Sequence, residues 1–324
     1  MSDAAIIIEG ITKTFGGGRT LLGRHRHAVH AVRGVSLTLA KGETLAIVVE
    51  SGSGKSTLAR MLVGLETPTS GRMVIGGEEA VALAAQGAQA FGRTIQYVFQ
   101  DPVASLNPRK TIRQTLEAPM YRLLGLDKAA REEKLRELMA AVSLREEFLD
   151  RYPHEFSGGQ AQRIGIARAL AADARVIVLD EPVSALDVSV QAQVLNLLDK
   201  LKRDFGLTYI FISHDLSVIE SVCDRVAVMY FGRIVEIGEA RDIYARPRHH
   251  YTALLMRSAP APGAQRIEAE ERPAELPDPL NPPAGCAFAS RCPRADDLCR
   301  HERPLLTSEG RQAAACWHPL DGDD

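Results

Sequence analysis

The chain has 324 residues, about two average domains, with 45% hydrophobic and 25% charged residues; that is ordinary globular usage and excludes a disordered chain. Lys plus Arg number 39 against 41 Asp plus Glu, for a formal net charge of −2, and aromatics are 5%. No bulk field draws such a chain to nucleic acid, and no row of base-stacking platforms is available, so no nucleic-acid partner is expected.

Met1–Gly10 carries Asp3 and Glu9 around Ile6-Ile7-Ile8. It lacks the basic start and apolar stretch of an export signal. No run reaches the ~18–20 apolar residues of a membrane helix. The expected setting is a reducing cytoplasm, with any membrane attachment supplied by another chain.

Ile6–Ile8 and Val35–Leu39 have strand character, and between them lies a predicted loop with Gly16-Gly17-Gly18 and a basic, His-containing stretch from Arg19 to Arg33. Thr44–Val49 is a short apolar run of the kind that forms a buried parallel strand. It runs into Glu50-Ser51-Gly52-Ser53-Gly54-Lys55-Ser56-Thr57, and a helical pattern follows over Leu58–Leu65. Residues 101 to about 165 read as mainly helical, with Leu135, Leu138, Met139 and Val142 at the spacing of a packed helix face. Val176–Leu179 is a second buried strand, ending at Asp180-Glu181-Pro182, and a helix is predicted from about Val188 to Asp204. Tyr209–Ile212 is a third such strand, ending at Ser213-His214-Asp215. Val226–Met229 and Arg233–Ile237 form a predicted hairpin around Gly232. Strands alternating with helices imply an α/β domain with a mostly parallel sheet. Ala259–Asn281, rich in proline and charge, reads as a linker.

Strand, glycine-rich loop, helix is the context of a phosphate-binding loop. Glycines let successive N–H groups face one anion, and the helix directs its positive end there. In that reading Lys55 reaches the β- and γ-phosphates and the Ser56 hydroxyl takes a Mg²⁺ position. Asp180 and Glu181 stand at the carboxyl end of a strand, where ligands bind in such folds. Asp180 suits Mg²⁺ and Glu181 suits polarisation of an attacking water.

Phe156-Ser157-Gly158-Gly159-Gln160, followed by Gln162-Arg163-Ile164-Gly165-Ile166-Ala167-Arg168-Ala169-Leu170, resembles the signature of ATP-binding cassette (ABC) ATPases. Gln100, in Tyr97–Pro102, matches that family's Q-loop, Ser184-Ala185-Leu186-Asp187 its D-loop, and His214 its H-loop. The resemblance implies a RecA-like parallel-sheet core with an N-terminal antiparallel β-subdomain and a helical subdomain over about residues 101–165. It also implies two cassettes packed head to tail around ATP. Ser157, Gly158, Gly159 and Gln160 would then meet the γ-phosphate bound by the partner's phosphate loop, with Asp187 at the same junction. His214 would position that phosphate, and Gln100 would touch Mg²⁺ or its water. Phe15 is the candidate for stacking on adenine, with a place in the first sheet's core as the other reading. Two positions depart from the family pattern. Val49 stands where the loop normally begins with Gly, so a need for positive φ there would strain it by ~1–3 kcal/mol and weaken the site. Ala161 replaces a basic or polar residue, with a modest expected effect.

Of five cysteines, Cys223 reads as a small buried residue, whereas Cys286, Cys292, Cys299 and Cys316 cluster at the end of the chain. Gly285–Pro293 and Asp101–Arg109 resemble the oligopeptide, dipeptide and nickel importer ATPases, which implies a domain over 1–258 and a linker plus small Cys-rich extension over 259–324. Members of that group can hold a [4Fe-4S] cluster on these four cysteines. Zinc is the second reading, although no close pair of cysteines typical of structural zinc sites is present; free thiols rank third, and disulfides are disfavoured in a reducing cytoplasm. The resemblance further implies two transmembrane permease subunits, a second ATPase subunit (a copy or a related chain), an external solute-binding protein and a place on the cytoplasmic face of the membrane. An ABC ATPase of a soluble process, or a degenerate cassette in a heterodimer, stays open beside it.

Overall fold

The computed structural model describes residues 4–17, 27–50, 53–258 and 277–320. Ser51 and Gly52, residues 18–26 of the basic stretch, and 259–276 of the proline-rich linker lie outside them.

The amino-terminal half contains β1 (Ala4–Gly16), β2 (Ala28–Ala40), β3 (Thr44–Val49), α1 (Lys55–Leu62), β4 (Ser70–Ile75), β5 (Glu78–Glu79), α2 (Ala80–Gln86), α3 (Ala88–Thr94) and β6 (Ile95–Val98). A helical region follows, with α4 (Ile112–Arg122), α5 (Lys128–Ala141) and the start of α6 (Gly158–Leu170). The chain then returns to the sheet through β7 (Val176–Asp180), α7 (Val188–Phe205), β8 (Thr208–Ser213), α8 (Leu216–Val222) and the hairpin β9 (Arg225–Tyr230) and β10 (Arg233–Glu239). Last come α9 (Ala240–Ala245), α10 (His250–Ser258), α11 (Asp297–His301), β11 (Thr307–Glu309) and β12 (Gln312–Ala314).

A four-stranded antiparallel sheet has the order β2-β1-β4-β5, and an eight-stranded sheet the order β11-β12-β10-β9-β3-β8-β7-β6. In the larger sheet β9, β3, β8, β7 and β6 are parallel neighbours. Their apolar runs are buried on both faces, and the two-residue period divides each run between two cores. Ala46 and Val48 of β3, with Ile177 and Leu179 of β7, join the core on the helical side. Leu45, Ile47 and Val49, with Val176 and Val178, join the core beneath the smaller sheet.

Two expectations change. The basic stretch is not all loop, because residues 28–33 belong to β2 and pair with the far end of β1; cross-strand pairing overrides their weak local alternation. Val49 is not strained: it ends β3 opposite Met229, is 2% exposed, and is absent from the residues with positive φ. A buried extended position suits a β-branched side chain.

The helical region is built as expected. Thr111 closes α4 with a capping box, Asp127 caps α5, and Leu135, Leu138, Met139 and Val142 are buried. Ala161 is fully buried in α6. Cys223 is buried, and burial pushes its thiol well up from the ordinary value. The extension borrows the main core. β12 pairs with β10, and Phe288, 2% exposed, packs on Tyr230 and Tyr251.

Candidate active site

Four adjacent parallel strands end at one edge. β3 leads into Glu50 and the phosphate loop, β8 into His214, β7 into Glu181 and β6 towards Gln100. Glu181 stands at the centre. Its Oε1 pairs with Lys55 Nζ and lies 3.3 Å from His214 Nδ1, while Oε2 accepts from Gln100 Nε2 at 2.7 Å. Glu181 has φ +46, a left-handed conformation costly for any side chain but glycine. It is held there by its N–H, which donates to Ile212 O at 2.8 Å, and by Ser184 Oγ, which donates to its carbonyl at 3.1 Å. Strain held in this way is a device found at functional sites.

Ser53, Gly54, Lys55, Ser56 and Thr57 line a cavity of about 900 Å³ together with Gln100, Glu181 and His214. Gly54 has φ +95, and a Cβ there would meet Ala31 O at 2.2 Å. Only glycine lets the loop curl against β2. The rest of the lining is Glu50, Val29, His30 and Ala31 of β2, the Phe231-Gly232 turn and Pro279 of the extension. Phe15 is not part of the lining; it lies across the strand pair from Val29, half exposed, with Lys13 Nζ 4.9 Å from its ring centre.

Asp180 stands behind Glu181. Its Oδ2 accepts from the Tyr97 hydroxyl, whereas Oδ1 is buried with no partner. Burial, then the Asp180 bond, push the Tyr97 phenol far up, so it stays a donor. The orphaned carboxylate oxygen of Asp180 and the hydroxyl of Ser56, a residue of the cavity lining, are oxygen donors of the kind that fits a hard divalent cation such as Mg²⁺.

The signature residues lie elsewhere on the chain's surface. Ser157 caps α6, its Oγ accepting from Gln160 N at 3.4 Å while Gln160 Oε1 accepts from Ser157 N at 3.1 Å. Ser157 and Gly158 are exposed, and none of Ser157–Gln160 lines the cavity. A Cβ at Gly159 would come within 2.4 Å of Val190 Cγ1, so α6 packs on α7 only because that position is bare. Asp187 caps α7 by accepting from Val190 N at 3.2 Å. The two loops are thus tied to each other and not to Lys55. Arg168 of α6 donates to Ser105 O at 2.7 Å and lies over the Phe99 ring, which joins the segment after Gln100 to the signature helix.

Residues 32–184 match the family described as ABC transporter, and 235–299 match the oligopeptide/dipeptide transporter C-terminal region. The chain is 47% identical over 318 residues to the probable peptide ABC transporter ATP-binding protein y4tS of Sinorhizobium fredii, covering 98% of this chain and 90% of that one. The chain belongs to the ABC transporter family. This ABC ATPase is also 50% identical to the dipeptide transport ATP-binding protein DppF of Escherichia coli, over 91% of this chain and 89% of DppF. Among solved structures it is similar to the dimeric post-hydrolysis form of the ATP-binding cassette MJ0796 bound to ADP and Pi, with a TM-score of 0.64, 28% identity, and 73% and 99% of the two chains covered.

The cassette's four terminal cysteines converge. Cys286, Cys292, Cys299 and Cys316 line one small pocket, unlinked by disulfides. Cys286 N donates to Cys299 O at 2.8 Å, which joins two stretches far apart in the C-terminal sequence. Burial, with the thiols of the other three nearby, pushes the Cys316 thiol up to about 11. Among the described residues the one compact trio of ligand atoms, mutually within 4.8 Å, is Asp296, Cys299 and His318. Sequence reasoning missed a bridge between this extension and the phosphate loop. Arg291, between Cys286 and Cys292, donates through Nη1 to Glu50 Oε2 at 3.0 Å and through Nη2 to Oε1 at 3.4 Å. Burial would lower the Arg291 pKa, but the bonds to Glu50 and Tyr230 raise it well above the usual value. No local signal marks Arg291, Tyr97 or Pro279, since each acts through a partner distant in sequence.

Proposed function

We propose that this cassette is the ATP-hydrolysing subunit of an ABC importer for peptides. The observation that carries the hydrolysis is the gathering of Lys55, His214 and Gln100 on the Glu181 carboxylate at one sheet edge. Ser51 to Thr57 cradle the phosphates; a γ-phosphate entering the cavity competes with Glu181 for Lys55 and frees the carboxylate to polarise water. His214 then orients the γ-phosphate. Mg²⁺, held by Ser56, Asp180 and Gln100, would neutralise charge developing on the phosphates. Phe15, paired across the strands with Val29 of the lining, is the aromatic proposed for the base. Ser157 to Gln160, with Asp187, serve the ATP of a partner cassette: the α6 N-terminus offers exposed N–H groups to an anion, and the chain's own cavity lies elsewhere.

The peptide cargo rests on the relatives, several of which are named as peptide transport ATP-binding proteins. In this reading residues 1–258 are the nucleotide-binding domain, and 259–324 the extension. Two permease subunits dock on the helical region, where Phe99 and Val103 are exposed beside Gln100. That holds the chain at the cytoplasmic membrane face, with an external binding protein delivering cargo. The test is reconstitution with the candidate permeases and second cassette. Peptide-stimulated ATP turnover is expected, and a Glu181→Gln variant should retain ATP in a closed pair. If that variant neither holds nucleotide nor pairs with any cassette, the reading fails.

For the extension we propose a [4Fe-4S] cluster on Cys286, Cys292, Cys299 and Cys316. What supports it is four unlinked thiols gathered around one pocket, the donor type that holds such a cluster. The compact Asp296, Cys299 and His318 trio favours zinc as the second reading. Anaerobic purification separates them: iron and sulfide with visible absorbance uphold the cluster, and stoichiometric zinc without iron rejects it.

A further inference from the structure

Arg33 of β2, Arg233 of β10 and Arg303, which follows α11, line a single cavity of about 180 Å³ where the main sheet meets the C-terminal extension. It shares no lining residue with the nucleotide cavity. Three arginines from three separate elements thus border one space. Among the described residues no carboxylate lines it and none pairs with any of the three. Arg33 packs over the Phe231 ring, 5.0 Å from its centre, and the Nε of Arg233 is buried with no hydrogen-bond partner.

This arrangement costs free energy as it stands. Burial, together with the Arg303 and Arg33 charges, pulls the Arg233 pKa down to about 10, and burial with Arg303 lowers Arg33 as well. Like charges brought together without a counter-charge are stabilised by an anion between them, and planar guanidinium forks suit tetrahedral oxyanions. Ser36 adds a hydroxyl at the wall. Its Oγ already accepts from Gly10 N at 2.8 Å, which leaves its proton to donate inward. Leu305 and Leu306 supply an apolar side. The volume suits a phosphate or a small phosphate ester and is far below the nucleotide cavity's.

We propose that this cavity binds a small polyvalent oxyanion of the phosphate class, held by Arg33, Arg233 and Arg303. Arg33 and Arg233 belong to the sheets and Arg303 to the extension, so the bound anion clasps the extension to the body. Cys286 lines both this cavity and the cysteine pocket, so the clasp acts on the segment that carries the cysteines. The inference stands on these residues and does not depend on the nucleotide reading.

The test keeps the two phosphate-binding regions apart. The full-length protein is saturated with Mg²⁺ and a non-hydrolysable ATP analogue, then titrated with inorganic phosphate at ionic strength held constant with NaCl. Calorimetry and thermal melting are the readouts, and the titration is repeated in a Lys55→Ala background. Binding of one equivalent and a rise in melting temperature are expected in both backgrounds. Arg233→Gln and Arg303→Gln should each weaken phosphate binding at least tenfold and abolish the rise. Without phosphate, Arg303→Gln should melt no lower than the parent, because a repelling charge is gone. Glycerol 3-phosphate as a second probe distinguishes a monoester site from one restricted to free phosphate, and binding of either upholds the proposal. Failure of both probes to bind, or equal binding by the parent and both glutamine variants, overturns it.

Discussion

The two faces of the nucleotide machinery are built differently. On the phosphate-loop face, the polar side chains of Lys55, Gln100 and His214, which follow three of the parallel strands, are joined through Glu181 after a fourth, in a lined cavity. On the signature face, Ser157 and Gln160 bond each other, and the exposed start of α6 lies outside the lining of that cavity. In the proposed reading the first face holds and cuts a phosphate, and the second recognises one brought by another molecule. The signature residues do not line the chain's own nucleotide cavity, so on that reading a complete site takes two chains.

The sharpest way to break that contrast is Glu181→Gln. Turnover should fall by ~10²–10⁴-fold, the worth of a general base, while ATP stays bound; undiminished phosphate release would remove Glu181 from the chemistry. Ser157→Ala should act only across the pair. It removes a cap worth about 1 kcal/mol and a charge-assisted bond of about 1.5 kcal/mol, so turnover drops roughly tenfold. Nucleotide affinity of the isolated chain stays unchanged, and a matching loss of affinity in the monomer would contradict the division of labour. Arg291→Ala strips Glu50 of its two-pronged partner. A stability loss of about 1–2 kcal/mol is expected, with a smaller fall in nucleotide affinity, read by thermal melting and nucleotide titration; no change in either would mean the extension does not support the loop. Val49→Gly should have the least effect on activity. With no positive φ to relieve, it brings no gain in affinity or rate, only a loss of about 2–3 kcal/mol from vacated burial and backbone freedom. A faster enzyme would show that the side chain does obstruct the phosphates.

The legible parts of this molecule were those whose signal is local. Apolar runs at Thr44–Val49, Val176–Leu179 and Tyr209–Ile212 mark strands because burial on both faces demands continuous hydrophobicity. The residues directly after them are the ones that meet in the cavity. Helix caps at Ser157 and Asp187 were visible as motif residues, though their packing through Gly159 on Val190 was not. The amino-terminal strands were underestimated, since residues 28–33 become β2 only by pairing with β1. The Val49 concern came from comparing residue types at one position, and backbone geometry removed it.

The alternation of strands and helices determined an α/β fold, and the motifs' resemblance to ABC ATPases supplied the activity and the candidate side chains at strand ends, because period, burial and loop chemistry are written in neighbouring residues. Which groups touch was decided only in three dimensions. Arg291 reaches Glu50 across 241 positions, and the three arginines of the small cavity come from two sheets and the extension. Contacts of that kind depend on how sheets and extension pack, and no stretch of consecutive residues encodes them.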